Sequence, residues 1–482
     1  MNAGLKAVRT ALAGRPAWLV GGVVRDRALG RTGETMDIDV VVEGDPSGAA
    51  RAVADAAGRA ACFALSEEFG AWRIVSRDGS WQVDVEPMRA GTLEDDLALR
   101  DFTVNAIAEP VEGGEPIDPL GGLADVRARR LRMAGPAAFA DDPLRVLRLV
   151  RVAVELDLEP DADALRAARA HAAGLRAVSS ERVFVELRRI LAARAAVRGV
   201  EMMGELGATA AVLPELEALR GVEQNRFHHL DVYGHTLEVL DRTVELTDGR
   251  LAASELGRTI RSLEPRVAGL LAEPLADELT RGEALRWGAL LHDAAKPITR
   301  EIRPPDGRVT FIGHDARGAE LAREVLGRLR TSERLRAHVA ALVRHHLRLG
   351  FLVHEPQPLS RRSAFDYLLA CSPVEADVTL LSIADRLATR GEHARRSIDA
   401  HMSVAGALLP DALRWHTEGP PRPLLRGDEL AQALGIETGP RVGELLRELA
   451  AAQYAGEVRT AEQALSYARE LAEPGMAGGR LT

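Results

Sequence analysis

At 482 residues the chain is too long for one hydrophobic core, so we expect about three or four domains, and 46% hydrophobic with only 4% aromatic residues favours mostly helical packing. The formal net charge of −9 argues against a protein that coats nucleic acid indiscriminately, and two isolated cysteines, Cys62 and Cys371, exclude a disulfide framework or a cysteine-based metal site. No apolar run is long enough for a membrane helix and residues 1–10 lack the apolar core of a signal peptide, so we expect a cytoplasmic protein without membrane contact.

The first motif is a pair of glycines between a predicted strand, residues 18–20, and a predicted helix. Gly21 and Gly22 lack the side chains that would block a phosphate, and the helix that they open directs unpaired backbone N–H groups at an anion. Arg25 lies one turn into this helix, where its guanidinium adds a charged fork. The turn therefore predicts a phosphate-binding site.

Two carboxylates follow on the next predicted strand. Asp37 and Asp39 alternate with Ile38 and Val40, so both acids point to one face while the aliphatic residues point into a core. Oxygen ligands on one face suit Mg²⁺, which also bridges to substrate phosphates. Either motif alone is more often a turn or a solvated pair, but their order predicts a nucleoside triphosphate site with Mg²⁺ held by Asp37 and Asp39.

The remainder of the head is predicted to be a mixed α/β unit. We expect a helix over 46–58 and strands over 62–65, 71–76 and 81–86. Asp84 lies on the last of these strands. It is either a third carboxylate that faces the metal or a surface acid on an edge strand.

Two charged motifs come next along the chain. Arg100 and Asp101 lie where a polar loop enters an apolar segment, free to bind a ribose hydroxyl or to pair with each other. Beyond them, an acidic cap at residue 142 followed by proline predicts a helix start. Arginines then recur every three residues, as either a solvated stripe or an anion-binding surface. They are Arg145, Arg148 and Arg151.

These head motifs resemble the first motif of the DNA polymerase β nucleotidyltransferase superfamily. Gly-Gly-x-x-Arg-Asp before Asp-x-Asp is similar to its class II tRNA nucleotidyltransferase and bacterial poly(A) polymerase branch. The resemblance implies an α+β fold, with a polymerase β-like head of mixed sheet and helices followed by an all-helical neck, an HD domain and a tail. The expected domains are a nucleotidyltransferase head, a helical neck for nucleotide selection and RNA binding, an HD domain and a tRNA-binding tail, at 1–135, 136–222, 223–415 and 424–473.

The resemblance also assigns roles to the charged motifs. Residues 95–106 are similar to D-x-x-R-R-D-F-T-x-N-A, with Leu99 in place of the first arginine, which leaves Arg100 and Asp101 to contact the ribose. Asp142 and Arg145 resemble the E-D-x-x-R template, in which a carboxylate accepts from the amino group of C or A and a guanidinium donates to the ring. Arg148 and Arg151 then lie nearer the phosphates.

The second half resembles the HD phosphohydrolase domain. One histidine is more often a packed side chain than a ligand, but here histidines and aspartates follow in the order H, H-D, H, H-H, D. The resemblance implies two sets of ligands, each of which binds one divalent transition metal ion. The first set is His235, His292, Asp293 and Asp385, and the other is His314, His345 and His346.

The chain ends in a proline-rich linker at 418–423 and short helices broken by glycines, and residues after Pro474 are expected to be disordered.

The resemblance implies a template-independent enzyme that transfers CMP from CTP, and also AMP from ATP, to the 3′ end of tRNA and releases pyrophosphate. Only residues 90–94 separate Arg89 from Asp95, where relatives that build the whole CCA end have a longer loop. This favours a CC-adding enzyme. Full CCA addition and poly(A) addition are the alternatives within this class. An alternative from another class is a metal-dependent phosphohydrolase whose head only binds nucleotide. The sequence does not indicate the oligomeric state.

Overall fold

The computed structural model describes residues 3–31, 37–66, 70–224, 229–251, 258, 260–304, 307–390 and 394–472. The chain divides into two compact units, Met1–Val212 and Leu213–Thr482. The four domain boundaries expected from the sequence stay a prediction, and the end after Pro474 that was expected to be disordered lies outside the described residues.

A six-stranded mixed sheet forms the centre of the first unit, with the strand order β3-β4-β5-β2-β1-β6. Strands β2 and β5 are parallel, and the other neighbours are antiparallel. The expected mixed α/β head is confirmed. The strands are β1 (Ala17–Val20), β2 (Asp37–Val42), β3 (Ala61–Ser66), β4 (Ala71–Val75), β5 (Gln82–Pro87) and β6 (Ala108–Pro110).

The two faces of this sheet differ in character. On one face Ile38, Val40 and Val85 pack into a core with the helices Ala3–Ala11 and Pro46–Ala56. Because side chains alternate along a strand, the acids between these residues point to the other face. That face is packed only at one end of the strands, so its other end stays open to a ligand.

Eleven helices accompany this sheet within the described part of the first unit. The helix predicted to start at Asp142 begins instead at Arg145, because Asp142 ends a short helix and its carboxylate accepts from the backbone N–H of Leu144. The helices are α1 (Ala3–Ala11), α2 (Gly22–Ala28), α3 (Pro46–Ala56), α4 (Leu93–Ala98), α5 (Gly122–Arg127), α6 (Ala138–Asp141), α7 (Arg145–Leu156), α8 (Ala162–His171), α9 (Ser180–Ala192), α10 (Ala196–Leu206) and α11 (Ala208–Val212).

The second unit is almost entirely helical where it is described. Two short hairpins pair Pro274–Ala276 with Leu279–Thr280 and Glu301–Arg303 with Arg308–Thr310. The helices are α12 (Pro214–Glu217), α13 (Val232–Thr247), α14 (Glu264–Ala272), α15 (Arg281–Leu291), α16 (His314–Arg328), α17 (Glu333–His345), α18 (Arg348–Leu352), α19 (Arg361–Cys371), α20 (Glu375–Ala388), α21 (Ala394–Glu418), α22 (Gly427–Leu434), α23 (Pro440–Ala455) and α24 (Ala461–Ala472).

Helix α15 is the central helix of this unit, since every residue in it except Glu283 is buried. A capping box between Thr280 and Glu283 starts the helix. Its buried guanidinium groups are paired, Arg281 with Asp377 and Arg286 with Asp248. A helix that is enclosed on all sides and held at its start fixes the position of the residues that follow its end.

The tail helices α22–α24 have a small core of their own, built around Leu430, Leu445 and Ala464. Gly435 and Gly456 end two of these helices in the left-handed conformation, as glycines commonly do.

Among the described residues, no single helix has the length and apolar character needed to cross a membrane, and only the bent pair α19 and α20 reaches that measure when the two are taken together.

Gly122 supplies a test of head packing. A Cβ at this position would lie 2.1 Å from the carbonyl oxygen of Thr103 and 2.9 Å from Cγ1 of Ile107. Because backbone must move to relieve this overlap, we expect Gly122→Ala to lower the free energy of unfolding by roughly 3 kcal/mol. Urea unfolding monitored by hydrogen exchange of β1 and β6 measures the change.

The matched control is Gly91→Ala, where an added Cβ meets no described atom within 4 Å. It should change the free energy of unfolding by less than about 0.5 kcal/mol. Equal losses for both variants would contradict the prediction.

Candidate active site and metal centre

The open face of the head sheet borders a cavity of about 710 Å³. Its lining combines carboxylates from the strands with guanidinium groups from the loops and helices around them. All the head residues selected from the sequence line this one cavity, namely Gly21, Gly22, Arg25, Asp37, Asp39, Arg100, Asp101, Asp142, Arg145, Arg148 and Arg151. A polar, charged cavity of this kind suits an anionic ligand with a cation.

The glycine turn lies directly against the carboxylate strand. Val20 is paired with Asp39 across β1 and β2, which places Gly21 just beyond the acid. Gly21 has a φ of +69°, and a Cβ there would be 3.2 Å from Oδ2 of Asp39. Glycine is therefore required both by the backbone conformation and by the approach of the carboxylate.

The two acids of β2 differ in their surroundings. Asp37 is exposed, whereas Asp39 is half-buried. Burial raises the pKa of Asp39 from 3.8 to about 6; Arg100 opposes this rise, and the charges of Asp84 and Glu86 add to it. Several carboxylates crowded on one face, with oxygen donors directed into a cavity, fit a divalent cation.

Arg100 and Asp101 do not pair with each other in the described structure. The Nε and Nη2 atoms of Arg100 are buried without a hydrogen-bond partner among the described residues. Its Nη1 lies 3.7 Å from the position that a Gly21 Cβ would take. Arg100 therefore brings its Nη1 atom close to the glycine turn at the edge of the cavity.

Asp101 belongs instead to a chain of buried polar contacts. It accepts hydrogen bonds from Arg148 at 2.8 Å and from Asn105 at 2.9 Å. Asn105 in turn accepts from Arg25 at 2.5 Å. Burial acts to raise the pKa of Asp101, but Arg148 and these hydrogen bonds hold it well below its usual range. Asp101, which was expected to contact the ribose, is thus already hydrogen-bonded within the protein. Asn105 lies in the same motif and is a site residue that the spacing argument missed.

The expected base-reading pair also has protein partners. Asp142 accepts from the Leu144 backbone N–H at 3.1 Å and from Arg182 at 2.6 Å. Arg145 donates to the backbone carbonyl oxygens of Leu99 and Ala138 at 2.9 and 3.2 Å. Both side chains line the cavity while these contacts fix their orientation.

The arginines of α7 are not a solvated stripe. Arg151 is buried, with Nε 2.5 Å from Glu186 and Nη1 2.9 Å from Glu155. Arg189 binds the same Glu155 through two hydrogen bonds. Ion pairs with one acid of α9 and one acid of its own helix thus occupy the guanidinium of Arg151, which also lines the cavity, and its expected place near the phosphates stays a prediction.

Asp84 is not an acid on an edge strand. Strand β5 lies inside the sheet between β4 and β2, and Asp84 is in register with Asp39. Its side chain lines the same cavity, together with Arg73 and Glu86, which were not selected from the sequence. In the sequence, the alternation along β5 was the available signal for Asp84 and Glu86, and the charged residue within β4 was the signal for Arg73.

A second polar site lies in the second unit, at the ends of its central helices. The structure brings two groups of possible ligands together, and within each group the ligand atoms are no more than 4.8 Å apart. The first is His235, His292 and Asp385, and the second is Asp293, His314 and His346.

Asp293 joins the two groups. Its Oδ2 atom lies 3.1 Å from Nε2 of His292, and its Oδ1 atom lies 3.3 Å from Nε2 of His314. Lys296 approaches the same carboxylate at 2.7 Å. Burial acts to raise the pKa of Asp293, but His292 and Lys296 hold it well below its usual value. Asp293 was expected in the first set, and in the structure it lies between the two sets, with one carboxylate oxygen near His292 and the other near His314.

Three imidazoles are held by the same local contact. The Nδ1 atoms of His292, His314 and His346 donate to the backbone carbonyl three residues earlier, at 2.8, 2.6 and 2.6 Å. This fixes the proton on Nδ1 and leaves Nε2 as the metal-binding atom. The Nε2 atoms of His292 and His314 are buried without a hydrogen-bond partner among the described residues, which fits a bound cation.

His345 belongs to neither group in the described structure. Its Nδ1 accepts a hydrogen bond from Arg348 at 2.9 Å. Adjacent residues on a helix point about 100° apart, so His345 and His346 cannot face the same ion. Burial lowers the pKa of His346 to about 4, which keeps its imidazole neutral and able to bind metal. The structure thus corrects the expectation for His345 and places Asp293 in the second group instead.

Similarity to family models covers most of the chain in three parts. Residues 17–132 match the poly A polymerase head domain. Residues 157–219 match the probable RNA and SrmB-binding site of polymerase A, and residues 265–390 match the HD domain.

Relatives align over nearly the whole chain. An A-adding tRNA nucleotidyltransferase of Deinococcus radiodurans is 37% identical over 95% of this chain and 96% of its own length. A CC-adding tRNA nucleotidyltransferase of Thermus thermophilus is 33% identical over 94% of this chain and 93% of its own. A multifunctional CCA protein of Xanthomonas campestris is 31% identical over 89% of this chain and 95% of its own.

Solved structures share the fold at lower identity. The CCA-adding enzyme of Bacillus stearothermophilus in complex with CTP has a TM-score of 0.63 at 21% identity, covering 98% of both chains. The Thermotoga maritima CCA-adding enzyme complexed with tRNA has a TM-score of 0.59 at 20% identity, covering 98% of this chain and 95% of its own. With a polymerase-type head, an RNA-binding segment and an HD domain in this order, the chain belongs to the tRNA nucleotidyltransferase family that includes the CCA-adding enzymes, and it is a nucleotidyltransferase.

Proposed function

We propose that the chain adds CMP to the 3′ end of tRNA from CTP, as a CC-adding enzyme. The observation that carries this proposal is the single cavity that joins a glycine turn, a carboxylate pair and the Asp142–Arg145 motif. The connection between β5 and α4 is only residues 88–92. This short connection supports CC addition, because relatives that build the complete end have a longer loop at this point. Full CCA addition and poly(A) addition are the alternatives.

A second candidate is addition of the terminal AMP alone from ATP. The similarity to the Deinococcus radiodurans enzyme favours it. Both candidates use the same cavity and chemistry, and they differ only in the base that the neck accepts. The solved relatives with CTP, ATP and tRNA bound support these molecules as partners of this chain.

The head residues divide the reaction between them. The Gly21–Gly22 turn and the guanidinium of Arg100, whose Nη1 lies beside the turn, bind the triphosphate. Mg²⁺ held by Asp37 and Asp39 would supply activation of the terminal hydroxyl and neutralise the departing pyrophosphate. Arg148 and Asp101 keep the ribose-side motif in place through their ion pair.

Asp142 and Arg145 select the base of the incoming nucleotide. A carboxylate oxygen accepts more than one hydrogen bond, so Asp142 can accept from the amino group of C or A while Arg182 still holds it. Uracil and guanine present a carbonyl at that position, which leaves the carboxylate unpaired and repelled.

For the second unit we propose a divalent transition metal pair with phosphohydrolase chemistry. Asp385 of the first group and all three members of the second group line a cavity of about 760 Å³, together with Lys296, Arg308 and Arg386. Cationic side chains beside metal ligands suit a phosphate ester.

Nucleotide-by-nucleotide incorporation tests the head. With a tRNA that lacks its last three nucleotides, CTP alone should extend the wild-type chain by two residues. Asp37→Ala should reduce the rate by at least about 10³-fold, because the metal loses an oxygen ligand. Efficient ATP incorporation onto a CC end would overturn CC-only addition: it would favour full CCA addition if CTP is also incorporated, and the second candidate if CTP is not. Full activity in Asp37→Ala would contradict the mechanism.

The raised pKa of Asp39 gives a pH dependence. Its folded pKa of about 6 lies above the ordinary 3.8, so the proton stabilises the metal-free fold and must leave before Mg²⁺ binds. The Mg²⁺ concentration for half-maximal rate should therefore rise about tenfold per pH unit below about 6 and level off above pH 7. Initial rates at several pH values measure it.

Asp78→Asn is the matched control for this profile. Hydrogen bonds from Ser80 lower the pKa of Asp78 to about 2, so it is already ionised throughout the range. The Asp78→Asn profile should superimpose on that of the wild type. A wild-type profile that is flat down to pH 5 would contradict the assignment of Asp39 to the metal.

The adjacent histidines test the second metal centre. His346→Ala should remove transition metal from the second group, whereas His345→Ala, one residue away, should retain it, since only the first side chain faces Asp293. Metal content by mass spectrometry after equilibration with Mn²⁺ or Ni²⁺ measures this. Equal loss in both variants, or none in either, would refute the geometry, and CMP addition should persist in both.

A further inference from the structure

An arginine fork holds the acid that lies beside the proposed Mg²⁺ ligands. Arg73 on β4 donates from Nε to Oδ1 of Asp84 at 2.8 Å and from Nη2 to Oδ2 at 2.7 Å. Both oxygens of the carboxylate are engaged in a parallel, charge-assisted pair, which is the strongest form of this contact.

The position of this pair ties it to the cavity. Asp84 faces Asp39 across the parallel strands β5 and β2, and Arg73 faces Asp84 across the antiparallel strands β4 and β5. Neighbouring strands are about 4.8 Å apart, so the three side chains form a row on the open face of the sheet. Both members of the pair line the same cavity as Asp37.

The row has an excess of negative charge. Asp37, Asp39, Asp84 and Glu86 converge on the cavity from two strands. Arg73 is the cation on the β4 side of this group, and Arg100 acts on Asp39. A divalent ion and the guanidinium of Arg73 are thus alternative partners for one carboxylate.

The pair lies at the edge of the cavity and not in the core. The side chain of Arg73 is 29% exposed and that of Asp84 is 16% exposed, so both charges are half-buried at an open cavity. A bidentate pair of this kind can add to stability, but stability alone does not explain why it stands beside the carboxylates of β2. Its place beside Asp39 is the feature that remains to be explained.

We propose that Arg73 is a positioning residue that occupies Asp84 in the metal-free head, so that Asp84 joins Asp37 and Asp39 around the divalent ion only when Arg73 releases it. The inference rests on the proposed function, because it takes Asp37 and Asp39 as the metal ligands. Arg73 then sets the metal affinity by competition, through Asp84 and not through the overall charge of the cavity.

Binding of Mn²⁺ to the full-length protein, followed by electron paramagnetic resonance without nucleotide or tRNA, tests this. The head component is the binding that Asp37→Asn removes. Arg73→Gln should tighten it by roughly tenfold, since the competing cation is gone. Arg73→Lys keeps the charge but not the fork, and should fall between the wild type and Arg73→Gln.

The background with Asp84→Asn separates the proposal from its alternatives. If Arg73 acts through Asp84, Arg73→Gln has no further effect on Mn²⁺ affinity once Asp84 is changed. The same tightening in both backgrounds would overturn the proposal in favour of a general charge effect, and no change in either would show a structural pair only. If the wild type has no component that Asp37→Asn removes, the proposed metal site itself fails.

Discussion

The two-residue period of β2 is the constraint on which the head depends. It directs Ile38 and Val40 into the core with α1 and α3, and it directs Asp37 and Asp39 to the open face. Burial of the aliphatic residues fixes the strand in its register, because a slip of one residue would exchange the two faces. The same apolar packing that stabilises the sheet therefore holds the carboxylate of Asp39 in a half-buried position that it would otherwise avoid.

Around this face the first unit balances its buried charges in one connected series. Arg25, Asn105, Asp101 and Arg148 are joined by hydrogen bonds, and Arg148 and Arg151 both approach Glu186. A buried charge without a partner is costly, so each member keeps the next one in place. The series runs from α2, which follows the glycine turn, to α9, so the glycine end of the cavity and helix α7, which carries Arg145, share one support.

The fold and the residues of the head cavity could largely be predicted from the sequence because they depend on local patterns. Alternation gives the face of Asp37 and Asp39, and a glycine pair before a helix gives the turn. Pairing partners could not be predicted, since they depend on how distant segments meet. The ion pairs of Arg151 with Glu186 and Glu155, which come from α9 and α7, are an example that the spacing of the arginines did not reveal.

The HD histidines show the same division. The order of histidines and aspartates along the chain predicted two sets of possible ligands, but only three-dimensional packing shows that Asp293 lies between them and that His345 turns away. Adjacent histidines cannot be ranked from sequence alone, because either one can occupy the inner side of the helix end. The internal position of β5, which excluded an edge-strand role for Asp84, likewise follows from the crossover order of the sheet.

The imidazole contacts at the helix ends have a consequence for assembly of the metal centre. The last turn of a helix leaves carbonyl groups without intrahelical donors, and His292 and His346 satisfy one such group each, at Ala289 and Val343. Each ring is consequently held in one tautomer and one orientation in the folded chain by the protein alone. Binding of an ion there would require little further ordering of these side chains, so its affinity would depend mainly on dehydration and charge and hardly on conformational entropy.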